Sequence, residues 1–341
     1  MATIALDAMG GDNGVQSAVH AAANVSLKRD AAVLLVGDQA QIDPILSRAR
    51  YDAAFLSVHH TPQAIDMCED PRAAIEAKPD ASLLVGARLV TEGQADALVS
   101  AGNTGAAILA CARHFKKLPG VPRTALAAVY PTEQRRGVHE DPFALILDVG
   151  ATVHVDADTL VAFAHMGSAY AARISRNPRP RVALLSNGSE PYKGTPEIVE
   201  AHKRLAEDPK LHFIGNIEGV DLPRGKADVV VTAGFTGNVV LKMLEGISET
   251  VVDIARYAYR SKLVWRAGLW MLRGGIVQLK SITDWQQYGG APILGFDHLF
   301  IKAHGRSNAR AIANAIKVAN KAVKSDLCKE IATQLEDAPA R

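Results

Sequence analysis

Ala95-Asp-Ala-Leu-Val-Ser-Ala-Gly-Asn-Thr-Gly-Ala-Ala-Ile-Leu-Ala-Cys-Ala-Arg-His-Phe115 holds the whole architecture in miniature. Ala95 to Val99 is a short apolar run of the kind that suits a parallel strand buried on both faces. Ser100-Ala-Gly-Asn-Thr-Gly-Ala106 is a glycine turn, and Thr104 to Phe115 reads as a helix. Working outward, further strands are expected at Thr3 to Leu6, Ala32 to Val36, Ala53 to Val58, Ala125 to Val129, Phe143 to Leu147, Val182 to Leu185, Phe213 to Ile214, Asp228 to Thr232 and Leu299 to Lys302. Helices are expected at Val15 to Leu27, Ala157 to Arg173 and Ser307 to Ala322; in the first, Val15, Ala18, Val19 and Ala22 share one face. Alternating strands and helices predict an α/β fold with a doubly wound, mostly parallel sheet, as one domain over residues 1–341.

The 341 residues are 48% hydrophobic and 22% charged, enough for a large core. A net charge of +2 gives no global reason to bind nucleic acid. Cys68, Cys111 and Cys328 are odd in number and far apart, which argues against a disulfide framework or a zinc site and fits a reducing cytoplasm. Neither a signal peptide nor a membrane-spanning stretch is expected. Asp66, Glu69 and Asp70 read as helix-capping and solvated charges rather than metal ligands.

Glycine turns follow strand after strand: Asp7-Ala-Met-Gly-Gly-Asp12, the Ser100–Ala106 turn, Asp148-Val-Gly-Ala-Thr152, Ser186-Asn-Gly188, Ala233-Gly-Phe-Thr-Gly-Asn238 and Ala303-His-Gly305. In a parallel sheet all six would share the carboxyl edge, where ligands bind. Glycine lets a ligand approach the backbone, and the helix that follows offers unsatisfied N–H groups to an anion. This makes Gly10, Gly11, Ser100, Gly102, Asn103, Thr104, Gly105, Gly234, Thr236 and Gly237 candidate phosphate or substrate contacts; turn geometry alone is the simpler account of any one of them. The chain has no GxxxxGK[ST], no GxGxxG after the first strand, no GxSxG and no HExxH. No metal or cofactor is therefore expected.

Taken in order, Asp7–Asp12, Ser100–Ala106, Leu147–Ala151, Met166-Gly-Ser168, Gly215-Asn-Ile-Glu-Gly219, Gly234–Asn238, Tyr288-Gly-Gly-Ala-Pro292 and Lys302–Gly305 resemble the signature segments of the bacterial phosphate acyltransferases, the PlsX family. The resemblance implies a fold related to phosphotransacetylases and to isocitrate and isopropylmalate dehydrogenases. It also implies a homodimer lying peripherally on the membrane. The implied reaction joins inorganic phosphate to a long-chain acyl group carried by acyl carrier protein, giving acyl phosphate for phospholipid synthesis. The sequence departs from the family at Ala233, commonly Asp, at Thr152, commonly Asn, and at the Ser186–Glu190 turn, although Lys193-Gly194 is kept.

Phosphate is already an anionic nucleophile, so placement and charge stabilisation are the enzyme's task. Lys193 is the first candidate to hold phosphate, with a solvated surface lysine as the alternative. Asn238 is the candidate oxyanion donor, with a helix N-cap as the alternative. His304 is a candidate phosphate donor or proton shuttle, or a structural histidine. Asp7, Asp12 and Asp148 orient donors or cap helices. Rival readings are a phosphotransacetylase-like enzyme using acyl-CoA, and a silent homologue that binds acyl phosphate or membrane, which Ala233 keeps open.

From Ile254 to Thr283 there is no acidic residue, while Arg256, Arg260, Lys262, Arg266, Arg273 and Lys280 alternate with Tyr257, Tyr259, Trp265 and Trp270. Residues 250–285 thus form a basic amphipathic helical segment, with Gly268 as a candidate break. Three uses fit it: an anionic bilayer surface, acidic acyl carrier protein, or helix packing in a dimer.

Overall fold

The computed structural model describes residues 1–136, 141–261, 263–275 and 289–336. The elements run β1 (Thr3–Asp7), α1 (Gly14–Lys28), β2 (Ala32–Gly37), α2 (Gln39–Leu46), β3 (Leu56–His60), α3 (Pro71–Ala77), α4 (Ser82–Thr91), β4 (Ala97–Ser100) and α5 (Thr104–His114). Next come β5 (Ala125–Arg136), β6 (Asp141–Leu147), α6 (Ala157–Arg173), β7 (Arg181–Leu185), α7 (Pro196–Ala206), β8 (His212–Ile217), α8 (Asp221–Arg224) and β9 (Val229–Val231). The chain closes with α9 (Gly234–Ser261), α10 (Leu263–Met271), β10 (Ala291–Leu294), β11 (Leu299–Lys302), α11 (Ala309–Lys324) and α12 (Leu327–Glu336).

The strands form one sheet in the order β3-β2-β1-β4-β11-β10-β5-β6-β9-β7-β8. Strand alternation splits its side chains between two cores. One face packs Ile4, Leu6, Val33, Leu35, Leu147 and Val231 against α1, α6 and α11. The other packs Ala5, Leu98 and Phe300 against α4 and α5, with Ile146 and Val230 in the same core. The α/β architecture and mostly parallel sheet are as the sequence predicts, and each expected strand falls on an observed one. Asp70 also caps α3 as expected, accepting from the Ala73 amide at 2.9 Å.

Two expectations are corrected. β10 is an additional strand, antiparallel to both β11 and β5. β5 and β6 then form a long antiparallel hairpin. Because β9 and β7 run parallel to β6, the strands β6, β9, β7 and β8 point opposite to β1, β2, β3, β4 and β11. The six glycine turns therefore do not share one carboxyl edge. Those after β1, β4 and β11 lie at one edge, and those after β6, β7 and β9 at the other.

Helix α9 ties the two edges together. It starts in the turn after β9 and rests Val240, Leu241 and Leu244 on the sheet. Its next turns pass the other edge, where Glu249 lies 3.4 Å from Arg306. Beyond Gly246 almost every described residue of α9 and α10 is exposed. Gly268 lies inside α10 and does not end it. Lys262, Lys280, Tyr288 and the rest of residues 276–288 lie outside the described residues. Among the described residues, no helix is long and apolar enough to cross a membrane.

Phe300 is fully buried at the middle of the sheet. Phe300→Ala is expected to lower the unfolding free energy by about 3–5 kcal/mol, measured by urea titration. Leu27→Ala, at a half-exposed position on α1, is expected to change it by less than about 0.5 kcal/mol.

Candidate functional site

Asp148 immediately follows β6 and is fully buried. Its carboxylate accepts from the backbone N–H groups of Leu126 at 2.9 Å, Gly150 and Ala151 at 3.0 Å each, and Thr152. Burial raises its pKa above the ordinary carboxylate value, against the pull of those amides. The result is a rigid loop, 148–152, tied to the start of β5. Helix α9 begins against this loop. The Gly234 amide donates to Thr152 O at 2.9 Å, and a Cβ at Gly237 would overlap the Asp148 carbonyl oxygen.

Asn238 projects from the same place. Its Nδ2 donates to Val149 O at 2.9 Å while the residue stays exposed. The N-cap alternative for Asn238 is overturned: α9 starts at Gly234, so Asn238 is in its second turn. Gly234, Thr236 and Gly237 occupy the first turn, with Gly234 and Gly237 buried and Thr236 exposed.

Lys193 lies in the loop between β7 and α7. It is half-buried, its stem runs over Gly188, and its ammonium stands 5.8 Å from the Tyr192 ring centroid. Since β9 and β7 are parallel neighbours, the Lys193 loop and the Asp148–Asn238 cluster occupy adjacent strand ends at one edge.

The other edge is a second cluster. Gly10 and Gly102 approach so closely that a Cβ on Gly10 would sit 2.7 Å from the Gly102 nitrogen. The Asp12 amide donates to Gly305 O at 2.8 Å. Asp7 is buried and accepts from the hydroxyls of Ser82 and Ser100, each at 2.6 Å. Ser100 Oγ in turn accepts from the Gly102 amide at 2.9 Å. Asn103 caps α5 through its Oδ1 and spends its Nδ2 on Met67 O and Glu69 O. Thr104 and Gly105 form the first turn of α5, and Gly11 has φ +100°. Buried Lys302 donates to Ala303 O, and burial pushes its ammonium down to about 8 against the attraction of Asp7 and Asp12.

His304 belongs to this edge, but it stands near α9. Burial first, then Lys242, lowers its pKa, with Glu245 opposing. Lys242 and Glu245 are only four and seven residues beyond Asn238, so roughly 6–10 Å of helix rise separates them from it. The expectation that Lys193, Asn238 and His304 arise on one edge is thus replaced by two edges bridged by α9. Sequence reasoning did not single out Ser82, Lys302 or the part played by Asn216, described below. Only a polar residue interrupting an apolar strand could have flagged the last.

Among the described residues, no group of three or more His, Cys, Asp or Glu side chains is arranged to hold a metal ion.

Residues 2–330 match the family described as "Fatty acid synthesis protein". A phosphate acyltransferase of Myxococcus xanthus is 42% identical over 319 residues, spanning 93% of this chain and 88% of the relative. One from Dictyoglomus turgidum is 38% identical, spanning 96% of each chain. A phosphotransacetylase from Streptococcus pyogenes shares the fold at TM-score 0.64 and 16% identity, over 95% of this chain and 94% of that one.

Gly237→Ala is expected to destabilise the chain and lower its melting temperature, because the added methyl meets backbone at Asp148. Gly246→Ala, later on the same helix with open space around it, is expected to be neutral or stabilising by up to about 1 kcal/mol. Thermal unfolding of the two variants side by side measures the difference.

Proposed function

The chain belongs to this fatty acid synthesis family, whose curated relatives carry the name phosphate acyltransferase, and on that premise we propose that it transfers a long-chain acyl group from acyl carrier protein to inorganic phosphate, supplying acyl phosphate to phospholipid synthesis. The class, an acyltransferase that uses phosphate, follows from the family. The carrier-protein donor and the place in lipid synthesis are the proposal.

The observation that carries this reading is a cation and an amide on adjacent strand ends. Lys193 lies in the loop after β7 and Asn238 in the second turn of α9, which follows the neighbouring strand β9, and Asn238 is set by the Asp148-organised turn. Lys193 holds phosphate by charge. A phosphate oxygen attacks the thioester carbonyl carbon, and Asn238 donates to the oxygen that becomes negative. The C–S bond then breaks. The proton carried by a P–OH oxygen of hydrogen phosphate ends on the departing thiolate sulfur, so the step needs no other reactant. The glycine turns of the other edge serve a second phosphate-bearing part of the substrates through Gly10, Gly11, Thr104 and Gly105, while Ser100, Gly102 and Asn103 hold the turn itself through the hydrogen bonds described above. His304 lies between that edge and α9, with its pKa below the ordinary histidine value.

Residues 250–285 are proposed as the surface by which a cytoplasmic homodimer rests peripherally on an anionic bilayer. Trp265 is 45% exposed, Trp270 59% and Met271 79%, and Arg256, Arg260 and Arg266 are exposed beside them. Apolar bulk and cations displayed together suit that interface. The stripe Phe235, Val239, Met243, Ile247, Val251 and Ile254 on α9, exposed throughout, supports the pairing of two copies.

A second reading, a silent binding homologue, is favoured only by Ala233. This residue immediately precedes Gly234 at the start of α9, where the family commonly has Asp.

Phosphate-dependent release of free carrier-protein thiol from a long-chain acyl carrier protein tests the reading. Lys193→Ala and Asn238→Ala are each expected to slow turnover by about 100- to 1000-fold; near-normal turnover removes that residue from the mechanism. Activity in Ala233→Asp but not in the parent chain supports the silent reading, and acyl-CoA as the better donor supports a phosphotransacetylase-like enzyme. Separately, the chain is expected to bind anionic vesicles and to be released by salt. Equal binding to neutral vesicles removes the electrostatic part.

A further inference from the structure

The reading above rests on Lys193, which is carried by a loop rather than by a strand or helix. A cation that holds phosphate from a loop needs something to fix that loop, since a small misplacement of a positioned group is costly. Two side chains beside the loop, Asn216 and His202, form a connected chain of hydrogen bonds to its backbone.

Asn216 lies on β8, beside β7, and is only 3% exposed. Its Nδ2 donates to the backbone carbonyl of Glu190 at 2.9 Å and reaches that of Lys193 at 3.4 Å. Its Oδ1 stands 3.0 Å from Nδ1 of His202 on α7. With the amide nitrogen committed to two carbonyls, the oxygen is the acceptor, so His202 Nδ1–H is the donor. The His202 ring is itself held edge-on to Phe213, at 5.1 Å between centroids and 77° between planes. Within the loop, the Lys193 amide donates to Glu190 O at 3.0 Å, closing a turn that Asn216 grips from below.

We infer that Asn216, oriented by His202, is a positioning residue for Lys193 and sets the affinity of the site for inorganic phosphate. A buried amide that lost these partners would be costly, so the loop has one strongly favoured arrangement while the relay is intact. Neither residue touches the reacting atoms. Both act through the backbone of the turn that carries the ammonium.

Asn216→Asp keeps the shape and still accepts from His202, but has no N–H to give the two carbonyls. It is expected to raise the KM for phosphate by about 10-fold or more and to change kcat much less. His202→Phe keeps an aromatic ring against Phe213 and removes the donor to Oδ1. It is expected to raise the phosphate KM in the same direction, and it stands in for Asn216→Asp should that variant not fold. A double-mutant cycle separates positioning from a merely structural role. In a Lys193→Ala background, Asn216→Asp is expected to add little further loss, because the group it positions is gone. Full additivity in the cycle overturns the inference, as does an unchanged phosphate KM in the folded variants. A Lys193→Ala enzyme as active as the parent overturns instead the reading that Lys193 holds phosphate, which distinguishes the two failures.

Discussion

One carboxylate buried at the end of β6 organises much of what surrounds it. Asp148 binds its own loop through Gly150, Ala151 and Thr152 and binds β5 through Leu126, so a hairpin strand, a turn and a helix start meet at one charge. Helix α9 can sit so close only because Gly234 and Gly237 carry no side chain. Without the four amides this carboxylate would be an unpaired buried anion, which folding does not tolerate. The backbone N–H groups of a turn are thereby spent on holding the turn, leaving Asn238 as the group that faces outward.

The reversal of strand direction at β10 and the β5–β6 hairpin gives the sheet two carboxyl edges. A helix long enough to run from one edge past the other then becomes the bridge between them, and α9 has that length. Its first three turns are packed on the sheet, with Asn238 at one end of that stretch and Lys242 and Glu245 beside His304 at the other. The same helix continues into the exposed, basic and aromatic segment. A single element thus connects the chemistry proposed for the crevice with the surface proposed for the membrane.

The fold was largely legible because buried parallel strands write themselves as continuous apolar runs: Ala32 to Val36, Phe143 to Leu147 and Val182 to Leu185 each read as a strand and are strands. β10 escaped because Ala291-Pro-Ile-Leu294 is short, contains proline and follows two glycines. Strand direction escaped because it is fixed by pairing between distant residues, such as Ile293 with Leu126, and no local pattern encodes it. At the site, glycine turns marked the right places. They did not reveal that Asn103 spends its amide on Met67 and Glu69, or that α9 starts a turn before Asn238. Asn216 was visible only as one letter in Gly215-Asn-Ile-Glu-Gly219, because its meaning lies in a carbonyl 23 residues away in sequence.

Lys302 carries a consequence in proton bookkeeping. Burial holds its ammonium near 8 in the folded chain, below the 10.5 of an unburied lysine. Between those values the unfolded chain keeps a proton that the folded chain has released, so stability rises as the solution becomes more alkaline through that window. Below about 8 both states are protonated, and the folded state bears the cost of a buried charge partly offset by Asp7 and Asp12. An anion settling at the glycine turns beside Lys302 would favour the ammonium and draw a proton from solvent as it bound. Near pH 8 the heat of such binding would then vary with the ionisation enthalpy of the buffer.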